Sequence, residues 1–594
     1  MSRKHSKYLS LIVLVLGGCA SVVEYLPTAP YEEQTEEQAS SSGTGRMAIA
    51  SQGRFSTSIA TDIEMAGGNA VDVAVAMSFA ISVERPFSTG IGGGGFMLLH
   101  IPAIGKEPAR TEAWDFRERA PIQSYKKMFL SKATGKPDSM KSRQGPLAVG
   151  VPGLVAGLWE IHQKYGKLSW KQVVTPSVDL ARRGFEVYEE LAVALEDKKT
   201  ELAANPAAKA IFYNQEEGRV WRKGELLIQS DLAETLEQIA KDGVKSFYRG
   251  WIAKRMIRDI KSQGGVMTLE DLMQYEVKKH VPIFGEFKGY KIATMPPPSS
   301  GGVHMLQILN TVEDDPLKEW GPLDPRSVHL VSTAMQKAFV DRAEYMGDPA
   351  FVKVPANVLS SKEYARGVRA RINMNAAMAP GEWKPGPVTP PYETDHTAHF
   401  SIISSDGYAV ASTQTINGWF GAKFVAKGTG IVMNNEMDDF SAAIGAKNLY
   451  GATASSTANL VAPKKTPLSS MTPSLVFKGT DPIISLGTPS GTRILTCVSQ
   501  VLLNRLAFGM TPYQAVSQIR YHQQWSPDEI RVDAPGLPEA TSKKLLAMGH
   551  KINNSNLGCR VQFVERDSAS GVFTAVSDPR GEAWTAVTPV KEEK

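Results

Sequence analysis

The alternation of hydrophobic and polar positions predicts a β-hairpin in the second half of the chain. Residues 397–404 and 408–417 are rich in β-branched and aromatic side chains, and they flank Ser405-Asp406-Gly407. This sequence suits a three-residue hairpin loop, because glycine readily takes the left-handed backbone conformation that such a loop needs. We therefore expect two antiparallel strands joined by a tight turn.

The length of the loop decides which side chains of the hairpin face each other. A three-residue loop places Thr397 opposite Thr415 and diagonal to Thr413, whereas a four-residue loop would place it opposite Gln414. Because strand side chains alternate, the three threonine hydroxyls then share one face with Asn417. Threonine is also a favoured strand residue, so the hairpin alone is not evidence of chemistry.

The segment before the hairpin changes that interpretation. Residues 376–394 contain five prolines and little apolar periodicity, which is typical of a loop or linker. Cleavage between His396 and Thr397 would free an α-amine on the residue that carries the hydroxyl. Such an amine has a pKa of about 8 and is a suitable base for that nucleophile. The pattern predicts a self-cleaving precursor.

The amino-terminal half shows both helical and strand periodicity. We expect a strand at 47–50, a helix over 51–83 interrupted at Gly67-Gly68, a strand at 96–100, helices at 154–165 and 170–183, and a helix from Val303. Asp341-Arg342 closes a further helical region, and we assign it a packing role.

Four consecutive glycines, Gly92–Gly95, precede the strand at 96–100. A phosphate-binding loop is excluded, because no Gly-Lys-Ser/Thr follows and because a strand rather than a helix comes next. The glycines indicate close packing of the backbone against a neighbouring element.

The first 19 residues have the features of an export signal. Three cations within the first seven residues precede an apolar run at 8–16, which is too short for an ordinary membrane span. The Leu-Gly-Gly-Cys ending is similar to a bacterial lipoprotein signal, in which Cys19 is lipidated and becomes the mature amino terminus. A soluble periplasmic protein that is cut nearby is the alternative.

Two expectations follow for the mature amino terminus. Ala20 after the cysteine resembles outer-membrane sorting, so we expect a periplasmic protein held at the outer membrane of a Gram-negative bacterium by a lipid anchor. Residues 20–45 are acidic, serine-rich and poor in large apolar groups, and we expect them to form a disordered tether.

Composition places the rest of the chain among globular proteins. The chain has 594 residues, of which 42% are hydrophobic and 21% are charged, and this is enough to bury an extensive core. A net charge of +5 is too small to indicate nucleic-acid binding. No spacing of Cys and His indicates a metal site, and no cofactor is expected. Cys497 and Cys559 either form a disulfide or, more simply for Cys497 in its apolar run, act as small buried hydrophobes.

Several stretches together resemble one family. They are Thr397-Ala398-His399-Phe400-Ser401 with Asp406-Gly407, Thr413, Thr415, Asn417 and Phe420-Gly421, then residues 433–441, then residues 467–473. They resemble the γ-glutamyltransferases, which are N-terminal nucleophile (Ntn) hydrolases, and the resemblance covers nearly all of residues 46 to 594. It implies an α+β fold, the αββα four-layer sandwich, with a large subunit at 46–396 and a small subunit at 397–594 of one cleaved precursor.

The resemblance also implies catalytic roles. Thr397 would be the nucleophile with Thr415 and Thr413 beside it, and the backbone N–H groups of Ser490 and Gly491 would form the oxyanion hole. Ser490 stands where the family usually has glycine. If this position takes a positive φ, the serine is strained.

Substrate binding is implied in the same way. The implied contacts are Arg117, Ser469 and Ser470 to the α-carboxylate, Glu436 and Asp439 to the α-ammonium, Asn417 on the same face as Thr397, and Tyr450 as the gate of a lid at 440–451. Arginine suits the carboxylate because its guanidinium binds in a bidentate manner. Asp439 favours a γ-glutamyl substrate, since related cephalosporin acylases differ at this position.

The function that this resemblance implies is a γ-glutamyltransferase or glutathione hydrolase. Thr397 would attack the γ-glutamyl amide of glutathione or a similar compound, and water or an amino-acid or peptide acceptor would take the glutamyl group. Two alternatives stay open. One is a cephalosporin acylase or poly-γ-glutamate hydrolase on the same scaffold, and the other is an uncleaved lipoprotein that binds γ-glutamyl compounds without turnover.

Overall fold

The structure is a computed structural model that describes residues 34–378, 381–383, 397–452 and 454–590. The β-strands are β1 Ser40–Gly43, β2 Met47–Ser51, β3 Gly94–Ile101, β4 Arg110–Asp115, β5 Phe185–Glu186, β6 Tyr213–Asn214, β7 Arg219–Val220, β8 Leu226–Leu227, β9 Lys278–His280, β10 Ile283–Phe287, β11 Tyr290–Thr294, β12 Ala398–Ser404, β13 Ala409–Thr415, β14 Val425–Ala426, β15 Ile431–Val432, β16 Ser474–Lys478, β17 Asp481–Gly487, β18 Tyr521–His522, β19 Ile530–Val532, β20 Ile552–Asn554, β21 Gln562–Arg566, β22 Phe573–Ser577 and β23 Trp584–Thr588.

The α-helices are α1 Glu36–Ala39, α2 Arg54–Met65, α3 Ala70–Glu84, α4 Ser139–Arg143, α5 Leu154–Tyr165, α6 Trp170–Arg183, α7 Glu189–Asp197, α8 Lys199–Ala203, α9 Pro206–Phe212, α10 Ser230–Asp242, α11 Val244–Tyr248, α12 Trp251–Ser262, α13 Leu269–Met273, α14 Gly301–Val312, α15 Leu317–Trp320, α16 Pro325–Tyr345, α17 Ala356–Leu359, α18 Lys362–Arg371, α19 Arg493–Leu502, α20 Pro512–Ser517 and α21 Glu539–Ala547. The strands and helices predicted in the amino-terminal half are confirmed within a few residues at their ends.

Two seven-stranded sheets form the centre of the molecule. One has the order β23-β2-β12-β13-β3-β4-β9 and the other has the order β1-β22-β21-β17-β16-β11-β10. Every strand pairing within them is antiparallel. We call them the nucleophile sheet and the second sheet. Segments from both sides of residue 396 therefore contribute strands to each sheet.

Side-chain alternation in β3 shows how the layers are stacked. Met97 and Leu99 pack with the apolar side chains of α3, α5 and α6, whereas Phe96 and Leu98 pack with side chains of the second sheet. The outer face of the second sheet is covered by α14, α16 and α19. The order of layers is helix, sheet, sheet, helix, so the predicted αββα sandwich is confirmed.

The predicted hairpin has the predicted register. Ala398 pairs with Gln414 and His399 with Thr413, which sets Thr397 opposite Thr415. The Ser404 N–H donates to the carbonyl of Tyr408 (2.9 Å). The turn closes at Gly407, where φ is +94°.

The structure differs from the disordered tether predicted for residues 20–45. Within its described part, α1 is followed by β1, which pairs antiparallel with β22 at the edge of the second sheet. Composition does not reveal this strand, because its serines join the sheet through backbone pairing and hydroxyl hydrogen bonds without any apolar contribution. Residues 20–33, like the signal and Cys19, lie outside the described residues.

The structure also decides the state of the two late cysteines. Cys497 on α19 and Cys559 are fully buried and joined in a disulfide. The simpler interpretation of Cys497 as a free buried hydrophobe is therefore wrong, although its burial is confirmed. The two residues are 62 positions apart, so only the tertiary fold brings them together.

Among the described residues, no helix combines the length and the apolar character that a membrane crossing requires.

Candidate active site

A polar cavity opens between the two sheets at the start of β12. Its wall contains the candidate residues Arg117, Thr397, Thr415, Asn417, Glu436, Asp439, Tyr450, Ser469, Ser470 and Gly491, together with Arg342 and Asn448. These residues come from distant parts of the sequence. The sheets, the turn at 436–439 and the loops at 469–471 and 490–491 bring them together.

Thr397 lies at the mouth of the hairpin, with its side chain buried. Its hydroxyl donates to the hydroxyl oxygen of Thr415 over 3.4 Å, and the Thr415 oxygen also accepts the N–H of Asn417 (2.8 Å). The backbone of Gly93 approaches so closely that an added Cβ would lie 2.0 Å from the Thr415 carbonyl oxygen. The glycine run therefore has the packing role predicted for it, next to the threonine pair.

Thr413 lies deeper in the sheet than the sequence analysis implies. It shares the face of Thr397 and Thr415, but its hydroxyl bonds to Nδ1 of His399 (2.7 Å), and it is not part of the cavity wall. Burial lowers the pKa of His399 to about 3, so this imidazole is neutral. The hairpin register explains the difference, since Thr413 faces position 399 and not position 397.

Arg117 is the centre of the charged wall. Its Nη1 donates to Glu436, its Nη2 to Asp439 (2.5 Å) and its Nε to the carbonyl of Pro467 (3.3 Å). The residue implied for the substrate carboxylate is thus paired with both residues implied for the substrate ammonium. The three side chains form one buried network in which the positions of the charges are fixed.

Burial sets the electrostatics of this network. It raises the pKa of Glu436 to about 7, with Arg117 opposing that shift, and it raises the pKa of Asp439. Fully buried Glu118 lies 3.9 Å from Arg117 Nη1, and burial raises its pKa well above the ordinary range. The pKa of Arg117 is raised by Glu436 and Asp439 in spite of its burial, so its charge is retained.

Two serines line the opposite wall of the cavity. The Ser469 hydroxyl oxygen accepts the N–H of Met471 (3.0 Å), and the Ser470 hydroxyl oxygen accepts a bond from Arg342 Nη2 (3.2 Å). From the sequence alone, only a packing role was predicted for Arg342. An arginine near the end of a helix is most often a surface residue. Nothing in the hydrophobic pattern therefore indicates that Arg342 lines the cavity.

Two residues of the segment predicted as a lid, Asn448 and Tyr450, line one side of the cavity. The Tyr450 hydroxyl donates to the carbonyl of Asn417 (3.0 Å), and the Tyr450 N–H donates to the side chain of Asn448. The amide of Asn448 in turn donates to Asp439 Oδ1 (3.1 Å). A Cβ on Gly491 would lie 2.2 Å from the Tyr450 ring, so only glycine fits beneath the lid.

Ser490 has the positive φ that the sequence analysis considered, at +112°. This conformation is strained for a residue with a Cβ. The side chain has partners that offset the strain, because its hydroxyl donates to the carbonyl of Leu557 (2.5 Å) and accepts from Arg493 Nε (2.9 Å). Ser490 itself lies next to the cavity wall, which Gly491 reaches.

The arrangement combines a buried threonine hydroxyl, a turn with positive φ at Ser490 and a wall of paired charges. Such a site can transfer an acyl group and can hold an acyl donor that carries both charges of an amino acid. His396, on the amino-terminal side of the predicted cleavage site, lies outside the described residues.

Comparisons with known proteins show the family to which the chain is similar. A family model described as gamma-glutamyltranspeptidase matches residues 56–588. The glutathione hydrolase proenzyme of Escherichia coli strain K12 is 40% identical over 574 residues, which cover 96% of this chain and 97% of the relative.

Solved structures are similar as well. The crystal structure of a cephalosporin acylase from Bacillus halodurans has a TM-score of 0.80 at 27% identity and covers 95% of this chain and 99% of its own. A Helicobacter pylori gamma-glutamyltranspeptidase structure has a TM-score of 0.53 at 38% identity and covers 55% of this chain and 91% of its own.

Proposed function

The chain belongs to the γ-glutamyltranspeptidase family, and from this premise we propose that Thr397 is the nucleophile of a proenzyme that cleaves itself at His396-Thr397. The enzyme is a γ-glutamyltransferase and glutathione hydrolase. Cleavage would give a large subunit at 46–396 and a small subunit at 397–594. Both subunits contribute strands to both sheets, so the cut product stays together as a heterodimer.

The geometry supports a two-step acyl transfer. The Thr397 oxygen attacks the γ-glutamyl carbonyl carbon, and the new α-amine of Thr397 takes its proton. As the amide C–N bond breaks, that proton passes to the leaving amine. Water or an acceptor amine then attacks the ester carbonyl carbon and gives a proton to the α-amine of Thr397. As the ester C–O bond breaks, that proton passes to the threonine oxygen. The backbone N–H groups of Ser490 and Gly491 stabilise the oxyanion in both steps.

The paired charges support recognition of the amino-acid end of the substrate. The α-ammonium displaces Arg117 from Asp439 and Glu436 in part, and the guanidinium then meets the α-carboxylate along with Ser469 and Ser470. The pairing in the free enzyme keeps each buried charge compensated until the zwitterion replaces its partner. Asn417 and Tyr450 close the pocket over the glutamyl chain.

One observation carries this proposal: Thr397 lies in one cavity with Gly491 and with the Arg117 network. The test is amino-terminal sequencing of the purified protein, combined with release of p-nitroaniline from γ-glutamyl p-nitroanilide. A fragment that starts at Thr397 together with turnover is the expected result. An intact chain that binds the anilide without releasing product would contradict the proposal.

A cephalosporin acylase is the second candidate, because a structure with that name covers nearly the whole chain. Its substrate side chain, a glutaryl group, lacks the ammonium. The Asp439 carboxylate, held by Arg117 and Asn448 at the cavity wall, favours the γ-glutamyl substrate over this candidate.

We also propose that Cys19 anchors the mature protein to a membrane through lipid. The apolar run and the Leu-Gly-Gly-Cys sequence support this step, and lipidation at one cysteine is expected to need no membrane-spanning helix. Metabolic labelling with palmitate tests it. Label that is incorporated equally by the protein and by a Cys19→Ala variant would contradict it.

A further inference from the structure

Arg342 gives the cavity a second cation. It lies near the carboxyl end of α16, its side chain is buried, and it shares the cavity wall with Arg117 and Thr397. The other charged residues of that wall are Glu436 and Asp439. Two cations and two anions therefore face one small space.

The two arginines differ in their partners. Within the described part of the chain, Arg117 forms ion pairs with both Glu436 and Asp439, whereas Arg342 forms no ion pair. Arg342 instead donates from Nε to the Ser300 hydroxyl (3.1 Å) and from Nη2 to the Ser470 hydroxyl (3.2 Å). Its remaining nitrogen, Nη1, makes no hydrogen bond to the described residues.

A buried cation without a counter-ion is costly, because the protein interior does not replace the water that it has lost. Burial accordingly lowers the pKa of Arg342 to about 10, with Arg117 adding to that effect and Asp439 opposing it. The group is still charged at neutral pH. An anion that enters the cavity would relieve this cost.

Ser470 shows where that anion would bind. Its hydroxyl oxygen accepts the bond from Arg342, and among the described residues its own O–H has no acceptor. A serine hydroxyl can donate one hydrogen bond and accept others. Arg342 uses the acceptor oxygen of Ser470, so the O–H of Ser470 can donate to a ligand in the cavity. Ser469 is arranged in the same way, since its oxygen accepts the N–H of Met471.

We infer that Arg342 is a specificity-determining residue for the α-carboxylate of the acyl donor. It orients the Ser470 hydroxyl toward the carboxylate. It also supplies a positive charge for the carboxylate while the charge of Arg117 is paired with Glu436 and Asp439. This inference rests on the proposed γ-glutamyl specificity. An arginine with only a packing role would not discriminate between substrates with and without the α-carboxylate.

The test compares two anilides that differ only in the α-carboxylate. They are γ-glutamyl p-nitroanilide and 4-aminobutyryl p-nitroanilide, and the measured quantity is the ratio of their kcat/KM values. Arg342→Gln should lower this ratio by roughly 10- to 150-fold, mainly through KM for the γ-glutamyl substrate, as expected for a charged hydrogen bond. Arg342→Lys should recover part of the loss, because it restores the charge.

Two controls separate this role from a structural one. Lys337→Gln removes another cation of α16, which pairs with Asp341 and does not line the cavity, and it should leave the ratio unchanged. In a Ser470→Ala background, Arg342→Gln should lower the ratio less than it does alone, because the two residues act together.

The possible failures are distinct. If Arg342→Gln lowers kcat/KM equally for both anilides, the arginine only supports the fold of the cavity and the inference is wrong. If the cleaved, folded wild-type enzyme does not turn over γ-glutamyl p-nitroanilide at all, the proposed function fails, and this inference fails with it.

Discussion

Arg117 and Asp439 form an ion pair in which 2.5 Å separates Nη2 of the buried arginine from Oδ2 of the partly buried aspartate. Arg117 lies two residues after the end of β4, and Asp439 lies in a turn more than 300 positions later in the chain. The pair joins the residue proposed to hold the substrate carboxylate to one proposed to hold its ammonium. Substitution of either residue therefore alters the electrostatic environment of the other.

Asp439→Asn tests the ammonium contact. The change removes the charge and keeps an oxygen that can still accept from Asn448. A γ-glutamyl anilide should lose a charge-assisted bond, roughly 10- to 150-fold in kcat/KM, whereas a glutaryl anilide lacks the amine and should lose nothing. The measurement is the ratio of kcat/KM for the two p-nitroanilides. A ratio that does not fall would make Asp439 a structural acid.

Arg117→Lys tests the carboxylate contact. Lysine keeps the charge but cannot bridge Glu436, Asp439 and the Pro467 carbonyl as the planar guanidinium does. We expect substrate binding to weaken by roughly 1.5 to 3 kcal/mol, with self-cleavage intact. Steady-state KM for γ-glutamyl p-nitroanilide measures this, and an unchanged KM would rule out the contact.

Thr397→Ala should remain a single chain, since it removes the hydroxyl that we propose attacks its own preceding peptide bond. Thr397→Ser keeps a hydroxyl and is the matched control, so it should still be cut. Denaturing gels and mass spectrometry of the two variants check this. Cleavage of the alanine variant at the same bond would show that Thr397 is not the nucleophile.

Ser490 offers a test of stored backbone strain. Ser490→Ala keeps the positive φ and loses the bonds to Leu557 and Arg493, so it should lower the free energy of unfolding by about 1 to 3 kcal/mol. Ser490→Gly loses the same bonds but relieves the strain, so it should be closer to wild type. Thermal unfolding of both variants in the Thr397→Ala background gives the comparison. Equal destabilisation would mean that the strain is negligible.

Glu436 should make stability depend on pH. Burial raises its pKa from the ordinary value of 4.5 to about 7, so the folded state holds a proton that the unfolded state has released. The stability from this group is therefore complete below about pH 4.5 and is lost as the pH rises through 7. Denaturant unfolding measures the free energy of unfolding of Thr397→Ala and of its Glu436→Gln double variant. Between pH 5 and pH 8, this free energy should fall for Thr397→Ala relative to the double variant. A constant difference would contradict this.

The sequence by itself determined the local elements and predicted most of the residues that line the cavity. Alternation and loop length fixed the hairpin and its register, because the period of a strand and the geometry of a tight turn are local properties. The helices around Gly67-Gly68 and the close packing at Gly92–Gly95 were predictable for the same reason. The family resemblance then supplied the αββα layers and most of the cavity wall.

Only the tertiary structure decided how those residues pair. It joined Cys497 to Cys559, added β1 to a sheet edge, paired Arg117 with both acidic residues and turned Arg342 into the cavity. None of these has a periodic signal in the chain. Each depends on contacts between segments far apart in sequence, where burial fixes the charge and the partner of a polar group only after the layers have packed.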